Sequence, residues 1–318
     1  MDSLAGILPL VGVIAPIFLM IGLGFGLGRA QVFSPDQVRG LARFVLLVSL
    51  PALLLGALAR SHMTQVFRLD YIAVYGLASL LSFALGFGWF RWAGNETLAR
   101  STVRAMGMGN SNSAFIALPV GTLLFGPAAA GPITLNLLIE NLVIFPLVLI
   151  LIEIGQSGER HPGRVALTVA KGLVRTPMLI AIVLGALLSL SGTVLPQFAD
   201  RTLLTLGAVS APLALVTIGA GLAGVSLHGR RGAIAAITVG KLVVHPLLVV
   251  LVLVFVPIAD PLFRTAAILF AAMPMLSIFP VIAQRSDDVE TCSAALLVTT
   301  VTSFATLLVT MALLGVHL

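Results

Sequence analysis

Residues 107–121, GMGNSNSAFIALPVG, place polar and helix-disrupting residues in an apolar segment long enough to cross a bilayer. Four polar residues are followed by a proline: Asn110, Ser111, Asn112, Ser113 and Pro119. The proline lacks a backbone N–H and disfavours the helical conformation of the residue before it, so we predict that the helix breaks there. Backbone groups freed inside hydrocarbon need partners, which the four polar side chains would supply beside a polar cavity. The alternative is a simple kink whose free groups they satisfy.

A second break is predicted in the stretch MPMLSIFP, where Pro274 and Pro280 flank Ser277. Two interrupted helices that enter the membrane from opposite sides would meet near its midplane. There the N-terminal ends of half-helices favour an anion, and the C-terminal ends favour a cation. The two stretches therefore predict a substrate site built around unwound backbone, with these candidate residues: Asn110, Asn112, Ser113, Pro119, Pro274, Ser277 and Pro280.

Charged residues inside apolar segments give a second set of candidates. Glu140 has Asn136 one turn before it and Asn141 beside it, and Lys241 has His245 one turn after it. Charges within a bilayer are costly and usually mark a transport pathway or an ion pair. We interpret Lys241, Asn136 and Asn141 as substrate ligands. Glu140 or His245 would carry a coupled proton, since imidazole titrates near neutrality. The alternatives are a static Glu140–Lys241 pair, a Lys241 that extends to the membrane surface, and a His245 that only satisfies a carbonyl.

The composition is that of a membrane protein. Of the 318 residues, 59% are hydrophobic and 9% are charged, whereas about a quarter are charged in soluble domains. Apolar stretches of about 20 residues, the length that crosses a bilayer, predict ten helical spans. They lie near 7–28, 38–59, 69–92, 102–125, 131–153, 174–192, 202–225, 233–256, 264–284 and 291–315. The first lacks a preceding Lys or Arg and a small-residue cleavage site, so we expect a retained span rather than a signal peptide.

Enzymatic chemistry is not expected. Cys292 is the only cysteine, which excludes an intrachain disulfide and a cysteine-based metal site. The sequence contains no HExxH, P-loop or GxSxG motif, and it offers no clear nucleophile–base pair within a span. We therefore expect a protein that is not an enzyme and that binds no cofactor or metal.

The basic residues predict a topology. Most of the 18 Lys and Arg residues lie in loops after odd-numbered spans, while the other loops contain Arg60, Arg68, Arg201 and Arg264. By the positive-inside rule the odd loops are cytoplasmic, and both termini lie outside. The net charge of +6 therefore indicates no nucleic-acid partner. The charged group at 285–290 is expected to be a solvated cytoplasmic turn.

An internal repeat divides the chain into two halves. A shift of 161 residues brings several residues of like type together: Pro16 with Pro177, Pro35 with Pro196, Pro51 with Pro212, Pro119 with Pro280, and Gly24 with Gly185. The hexapeptides SLPALL and SAPLAL are aligned by the same shift. Each half holds five spans, and an odd number makes the two halves opposite in orientation, as in secondary transporters. We predict repeats at residues 1–154 and 172–318, joined by a cytoplasmic linker at 155–171.

Four motifs together resemble the auxin efflux carrier family over essentially the full chain: PIFLMIGLGFGLGRAQVFSPDQVRGLARFVLLVSLPALLLGALA, TPMLIAIVLGALLS, APLALVTIGAGLA and KLVVHPLL. This family belongs to the larger group of bile acid, arsenite and riboflavin carriers. The resemblance implies an all-α membrane protein of ten spans in two inverted repeats. Spans 1, 2, 6 and 7 would form a scaffold, and spans 3–5 and 8–10 a transport domain with crossed helices 4 and 9. Asn112 stands seven residues before Pro119, as the crossover Asn does in plant members, whereas the second crossover departs because no Asn lies near it.

The resemblance and the residue patterns together predict a secondary active transporter for a small organic anion. The chain has the short linker of bacterial members, which are associated with malate, malonate or similar anions rather than auxin. We expect an elevator-type mechanism, a location in the bacterial inner membrane, and a homodimer formed through the scaffold. The coupling ion is expected to be a proton, with sodium as the other candidate. A passive channel or a solute sensor on the same fold is the alternative function.

Overall fold

The fold is helical throughout. The computed structural model describes residues 2–61, 66–157, 167, 171–172, 174–226 and 229–315. These residues form helices joined by turns, and no strand occurs among them, which confirms the all-helical prediction. Most of the predicted linker at 155–171 lies outside the described residues.

The helices follow one another along the chain and overlap the predicted ranges, whereas the arrangement of ten spans in two repeats stays a prediction. The predicted fourth span corresponds to α4 and α5, and the ninth corresponds to α10 and α11. The bounds are: α1 Asp2–Arg29, α2 Pro35–Ala59, α3 Leu69–Ala93, α4 Leu98–Gly109, α5 113–125, α6 130–157, α7 Pro177–Ser191, α8 Gln197–Leu222 with a turn at Val209, α9 Arg231–Phe255, α10 Pro261–Ala271, α11 Phe279–Ala283 and α12 Val289–Leu313.

Length and apolar character make several helical stretches able to cross a membrane. Six such stretches occur in the described part of the chain: Pro35–Ala59, Leu69–Ala93, Leu98–Gln156, Gln197–Leu222, Arg231–Phe255 and Val289–Leu313. The stretch Leu98–Gln156 has 59 residues, whereas a single crossing needs about 20. It changes direction at the 3-10 turn Gly126–Ala129, where Gly126 has a φ of 58° that favours glycine. The protein is therefore a multi-pass membrane protein.

Four prolines lie inside continuous helices because a π-helical segment precedes each of them. The pairs are Val45–Ser49 before Pro51, Ser113–Ala117 before Pro119, Glu140–Ile144 before Pro146, and Gly240–Val244 before Pro246. A proline donates no hydrogen bond, and its ring clashes with the carbonyl four residues earlier. The wider π turn moves that carbonyl away, so the helix continues through the proline.

The prediction that the helix breaks at Pro119 is therefore wrong, because the interruption lies earlier in the chain. Helix α4 ends at Gly109, residues 110–112 are not helical, and Pro119 lies near the start of a regular helix. Pro280 is likewise the second residue of α11, and the second interruption covers residues 272–278, around Pro274. Both interruptions exist, but the polar residues rather than the aligned prolines mark the first one.

Two close parallel helix pairs connect the first part of the chain with the second. A Cβ added at Gly24 of α1 would lie 2.1 Å from the Val216 carbonyl oxygen of α8, and one at Gly219 would lie 1.9 Å from the Ile21 carbonyl oxygen. In the other pair, a Cβ at Gly185 of α7 would lie 2.8 Å from Leu58 Cβ of α2. Small residues allow such backbone approach in membrane proteins. The packing of α1 on α8 and of α2 on α7 thus depends on glycines.

Candidate functional site

The two interruptions are in direct contact. The backbone N–H of Asn112 donates to the Pro274 carbonyl over 2.8 Å, and its side-chain Nδ2 donates to Ser277 Oγ over 2.7 Å. Asn112 also starts α5, because its Oδ1 accepts from the Phe115 N–H. One residue therefore joins the non-helical segment at 110–112 to the one at 272–278 and caps the helix that follows.

A cavity of about 300 Å³ lies beside this contact. Its walls are mainly apolar and come from α2, α5, α6 and the residues around the start of α7. The polar and ionisable lining residues are Asn110, Asn112, Glu140, Asn141, Thr176 and Ser277. This volume is at the lower end of the range for ligand sites, which indicates a small ligand.

Asn110 gives this cavity its most distinctive polar feature. The side chain is 0% exposed, and neither its Oδ1 nor its Nδ2 has a hydrogen-bond partner. A buried amide without partners costs free energy, so it rarely persists without a ligand or a water to satisfy it. Asn141 lines the same cavity but differs, because its Nδ2 donates to the Leu137 carbonyl over 2.8 Å. Asn110 is therefore the side chain best placed to bind a polar ligand.

A chain of hydrogen bonds ends at the Glu140 carboxylate. Tyr71 donates from its hydroxyl to Asn136 Oδ1 over 2.7 Å, and Asn136 Nδ2 donates to Ser113 Oγ over 3.4 Å. Ser113 Oγ donates in turn to Glu140 Oε1 over 2.6 Å. Every donor in the chain points toward the Glu140 carboxyl group, so the bonds polarise one another. Asn136 and Ser113 thus support Glu140 and do not line the cavity.

Lys241 is completely buried and has three partners. Its Nζ lies 2.9 Å from Ser111 Oγ, 2.6 Å from the Ala271 carbonyl and 2.8 Å from His245 Nδ1. An ammonium has three donors, so all three are used and Nδ1 acts as an acceptor. This arrangement requires the His245 tautomer with its proton on Nε2, and this atom lies 3.0 Å from Ser79 Oγ.

Lys241 is placed at a helix end rather than in the cavity. Ala271 is the last residue of α10, where the carbonyl groups carry partial negative charge, and an ammonium there is stabilised. No ion pair joins Lys241 to Glu140, although both residues are described. The static pair and the extended Lys241 considered from the sequence are therefore both wrong. Pro119, Pro274, Pro280, Lys241 and His245 do not line the cavity, although Pro274 takes part in the contact between the interruptions.

Two tyrosines belong to this region and were missed in the sequence. Tyr75 donates to Ser111 Oγ over 2.9 Å, as Tyr71 does to Asn136, and the two rings stack with centroids 5.9 Å apart. Both are 0% exposed. The signal that could have found them is their rarity, because the chain contains only these two tyrosines and they stand one helical turn apart.

A buried ion-pair cluster lies where α4 meets the residue before α12. Arg104, which is 1% exposed, donates to Glu96 over 2.9 Å and to Asp288 over 2.6 Å, and Arg100 and Arg230 also pair with Glu96. Burial raises the pKa of Glu96, but the Arg100 hydrogen bond and the charges of Arg104 and Arg230 outweigh it, so this pKa lies below its ordinary value. The prediction that the group at 285–290 is solvated is wrong for Asp288, which is 8% exposed.

Metal ligands do not cluster in the described residues: no group of three or more His, Cys, Asp and Glu side chains is placed to hold an ion. Ser277, Asn110 and Asn112 present hydroxyl and amide groups, which suit hydrogen bonding to an organic ligand. An apolar helical chain whose two interruptions meet beside a small cavity with a few polar groups in its walls has the features of a membrane carrier.

Comparison with known proteins identifies the family. The sequence pattern of the family described as "Membrane transport protein" matches residues 9–311, so the chain belongs to this family. The "Putative malonate transporter" of Rhizobium meliloti (strain 1021) is 27% identical over 298 residues, which is 93% of each chain. The "Uncharacterized transporter YfdV" of Escherichia coli (strain K12) and that of Shigella flexneri are each 26% identical over 251 residues, 76% of this chain and 77% of the relative. The protein is a membrane transporter, and its family and these relatives are transporters rather than enzymes.

Proposed function

We propose that the protein is a secondary active transporter for small organic carboxylates, and that the substrate binds where the two interruptions meet. The observation that carries this proposal is the fully buried, unpartnered amide of Asn110 in the wall of the cavity beside Asn112 and Ser277. The amide Nδ2 and the Ser277 hydroxyl would donate to a carboxylate. The N-terminal end of α5 also faces the cavity through Asn112 and Phe115, and its partial positive charge favours an anion.

The substrate class is small and anionic. A cavity of about 300 Å³ leaves room for a short-chain acid rather than a large ring system. The name of the Rhizobium meliloti relative, a "Putative malonate transporter", supports a dicarboxylate of three or four carbons. Malonate is therefore the first substrate to test, with indole-3-acetate as the aromatic alternative.

The coupling ion is a proton carried by Glu140. This carboxylate lines the cavity, and no Lys, Arg or His side chain does so among the described lining residues. An ionised Glu140 would repel a bound anion at short range, since unlike water the cavity screens charge poorly. An anion would therefore enter together with a proton on Glu140. His245 is less suited to this role, because a proton added at its Nδ1 would face the Lys241 ammonium 2.8 Å away.

The transport mechanism follows from an inverted repeat. Gly24 and Gly185 are aligned by the 161-residue shift, and they make corresponding contacts: Gly24 brings α1 onto α8, and Gly185 brings α7 onto α2. Repeat-related helices thus exchange partners, as an inverted two-fold relationship requires. The scaffold would consist of α1, α2, α7 and α8. The remaining helices would cross at the two interruptions and move together in an elevator-type motion.

The proposed setting is the bacterial inner membrane, with both termini outside and a homodimer formed through the scaffold. The distribution of basic residues supports this orientation, because cytoplasmic loops carry the excess of Lys and Arg. The apolar outer faces of α1 and α7, which expose Leu19, Leu23, Leu187 and Leu190, are available to lipid or to a second copy.

The proposal is tested by flux in proteoliposomes. Purified protein should take up radiolabelled malonate with saturation kinetics and accumulate it when the outside is acidic, whereas a sodium gradient should have no effect. Asn110→Ala should lose this uptake, while Ser101→Ala, which alters a buried hydroxyl that does not line the cavity, should keep it. Flux that does not saturate would indicate a channel. Binding without flux would indicate a sensor, and either result would overturn the proposal.

A further inference from the structure

A second cavity lies along the same helices as the first. Its volume is about 550 Å³, and its walls include Leu53 of α2, Arg60 directly after the end of α2, and Thr122 of α5. The first cavity is lined by Leu47 of α2 and Phe115 of α5. Six residues separate Leu47 from Leu53, which corresponds to roughly 9 Å along a helix axis. The two cavities therefore follow one another along the boundary between α2 and α5.

The cavities lie toward opposite ends of this boundary. The first includes Pro177 at the start of α7. The second lies at the end of α2, where the Ser61 carbonyl accepts a hydrogen bond from Ser189 near the end of α7. Since α2 and α7 pack in parallel through Gly185 and Leu58, the first cavity lies at the start of α7 and the middle of α2, and the second lies near the ends of both helices.

Arg60 gives the second cavity a positive charge. Among the described residues that line either cavity, it is the only cation. Its guanidinium folds back over Gly56, where an added Cβ would lie 3.2 Å from Nη2 and 3.4 Å from Nη1. Gly56 thus leaves space for the charged group against the helix. A guanidinium has donors in a fork that matches a carboxylate.

The present partner of Arg60 is exchangeable. Arg60 forms an ion pair with Asp200 of α8, and the two side chains are 41% and 30% exposed. Ion pairs that water reaches contribute little to stability. A carboxylate that enters the cavity can therefore take the place of Asp200 without a large loss of interaction.

We propose that the second cavity is an entry site for the anion on the side of the membrane opposite the first cavity, with Arg60 as the residue that captures the substrate carboxylate and Asp200 as the group that it leaves. This inference rests on the proposed function, because it takes the same carboxylate as the ligand. Arg60 would be a specificity-determining cation on the transport pathway, since no cationic residue is among the described residues that line the first cavity.

The test compares malonate transport by the intact protein from each side of proteoliposomes with a single protein orientation. Arg60→Gln should raise the KM by about tenfold from the side of the second cavity, the effect expected for a lost hydrogen bond to a charged group. The KM from the other side should not change. The KM of Arg60→Lys from the side of the second cavity should lie between those of wild type and Arg60→Gln. Asp200→Asn, which frees Arg60, should lower this KM.

Arg201→Gln is the matched control. Arg201 neighbours Asp200 on α8, is exposed, and does not line the cavity, so the substitution removes the same charge from the same end of the protein. Equal effects of Arg60→Gln and Arg201→Gln would overturn the inference and leave the proposed function standing. A KM that stays unchanged in Asp200→Asn and Arg60→Lys would also overturn it. A wild-type protein that moves no carboxylate would overturn both.

Discussion

The side chain of Asn112 donates a 2.7 Å hydrogen bond to Ser277, which follows it by 165 residues in the chain. The same residue donates its backbone N–H to Pro274. These two bonds hold the two helix interruptions against each other beside the cavity. A displacement of one interruption would therefore be transmitted to the other, which is the property that a carrier with two alternating access states requires.

Ser277→Ala is expected to reduce malonate transport at least tenfold. The substitution leaves the Asn112 amide, which is 2% exposed, without its acceptor, and a lost buried partner costs about 1–3 kcal/mol. Ser277→Thr keeps the hydroxyl and should restore most of the activity. The measurement is initial uptake rate in proteoliposomes, together with the unfolding midpoint in detergent.

A double-mutant cycle separates this bond from other effects of the two residues. Asn112→Ala and Ser277→Ala together should cost less than the sum of the single changes, with a coupling of about 1 kcal/mol. Ser191→Ala, an exposed position with a local hydrogen bond, is the control and should behave like wild type. Additive effects of the two substitutions would show that the hydrogen bond between Asn112 and Ser277 does not contribute to transport.

Glu140→Gln is expected to separate exchange from accumulation. Glutamine keeps the shape of the side chain and its bond with Ser113 but cannot gain and lose a proton. Malonate exchange between two filled compartments should persist, while accumulation driven by a pH gradient should disappear. Glu153→Gln is the control, because Glu153 lies on the same helix and does not line the cavity. Full pH-driven accumulation by the Glu140 variant would exclude this carboxylate as the proton carrier.

The sequence predicted the membrane-embedded helices and the polar residues of the candidate site because both depend on local patterns. Apolar runs of about 20 residues indicate spans whatever the tertiary structure. The cluster at 110–113 was recognised as polar groups that hydrocarbon does not tolerate unpaired. The exact position of the helix interruption could not be predicted in the same way. The π turn Ser113–Ala117 accommodates Pro119 within the helix, and no residue type indicates such a change of backbone conformation.

Contacts between residues far apart in the chain could not be predicted from the sequence. Lys241 meets Ser111, 130 residues away, and Arg104 meets Asp288, 184 residues away. Asp288 looked solvated because it stands in a charged stretch near a helix start. Its burial comes from the approach of α4, and the resulting charge pair is a tertiary feature. Local hydropathy gives no information about such contacts, which explains why the ion-pair cluster was not predicted.

Gly219→Ala is expected to destabilise the protein by about 1–3 kcal/mol or more, the usual effect of overfilling a packed contact. The added Cβ would lie 1.9 Å from the Ile21 carbonyl oxygen and would force α1 away from α8. Gly221→Ala, two residues later, has nothing within 4 Å of its Cβ and should be neutral. Unfolding midpoints in detergent provide the comparison, and equal midpoints for the two variants would contradict the close contact of α1 with α8.

Glu96 is expected to make the stability of the protein depend on pH under acidic conditions. Burial raises the pKa of Glu96, but Arg100, Arg104 and Arg230 together lower it below the ordinary value of 4.5. A carboxyl whose pKa is lower in the folded state contributes its full stabilisation above the unfolded pKa and loses it as the pH falls through the folded pKa. Wild-type protein should therefore be more stable than Glu96→Gln at pH 7, and this difference should shrink below about pH 4.5.

The control for this experiment is Glu290→Gln, which removes an exposed carboxylate near the same cluster. Its unfolding midpoint should follow that of wild type from pH 7 to pH 3, because no buried arginine depends on Glu290. In Glu96→Gln, Arg104 keeps its bond with Asp288, while its partner 2.9 Å away becomes a neutral amide. A difference between Glu96→Gln and wild type that stays constant across the acid range would mean that the cluster stabilises the fold through packing, such as Arg104 over the Phe90 ring, rather than through the charge of Glu96.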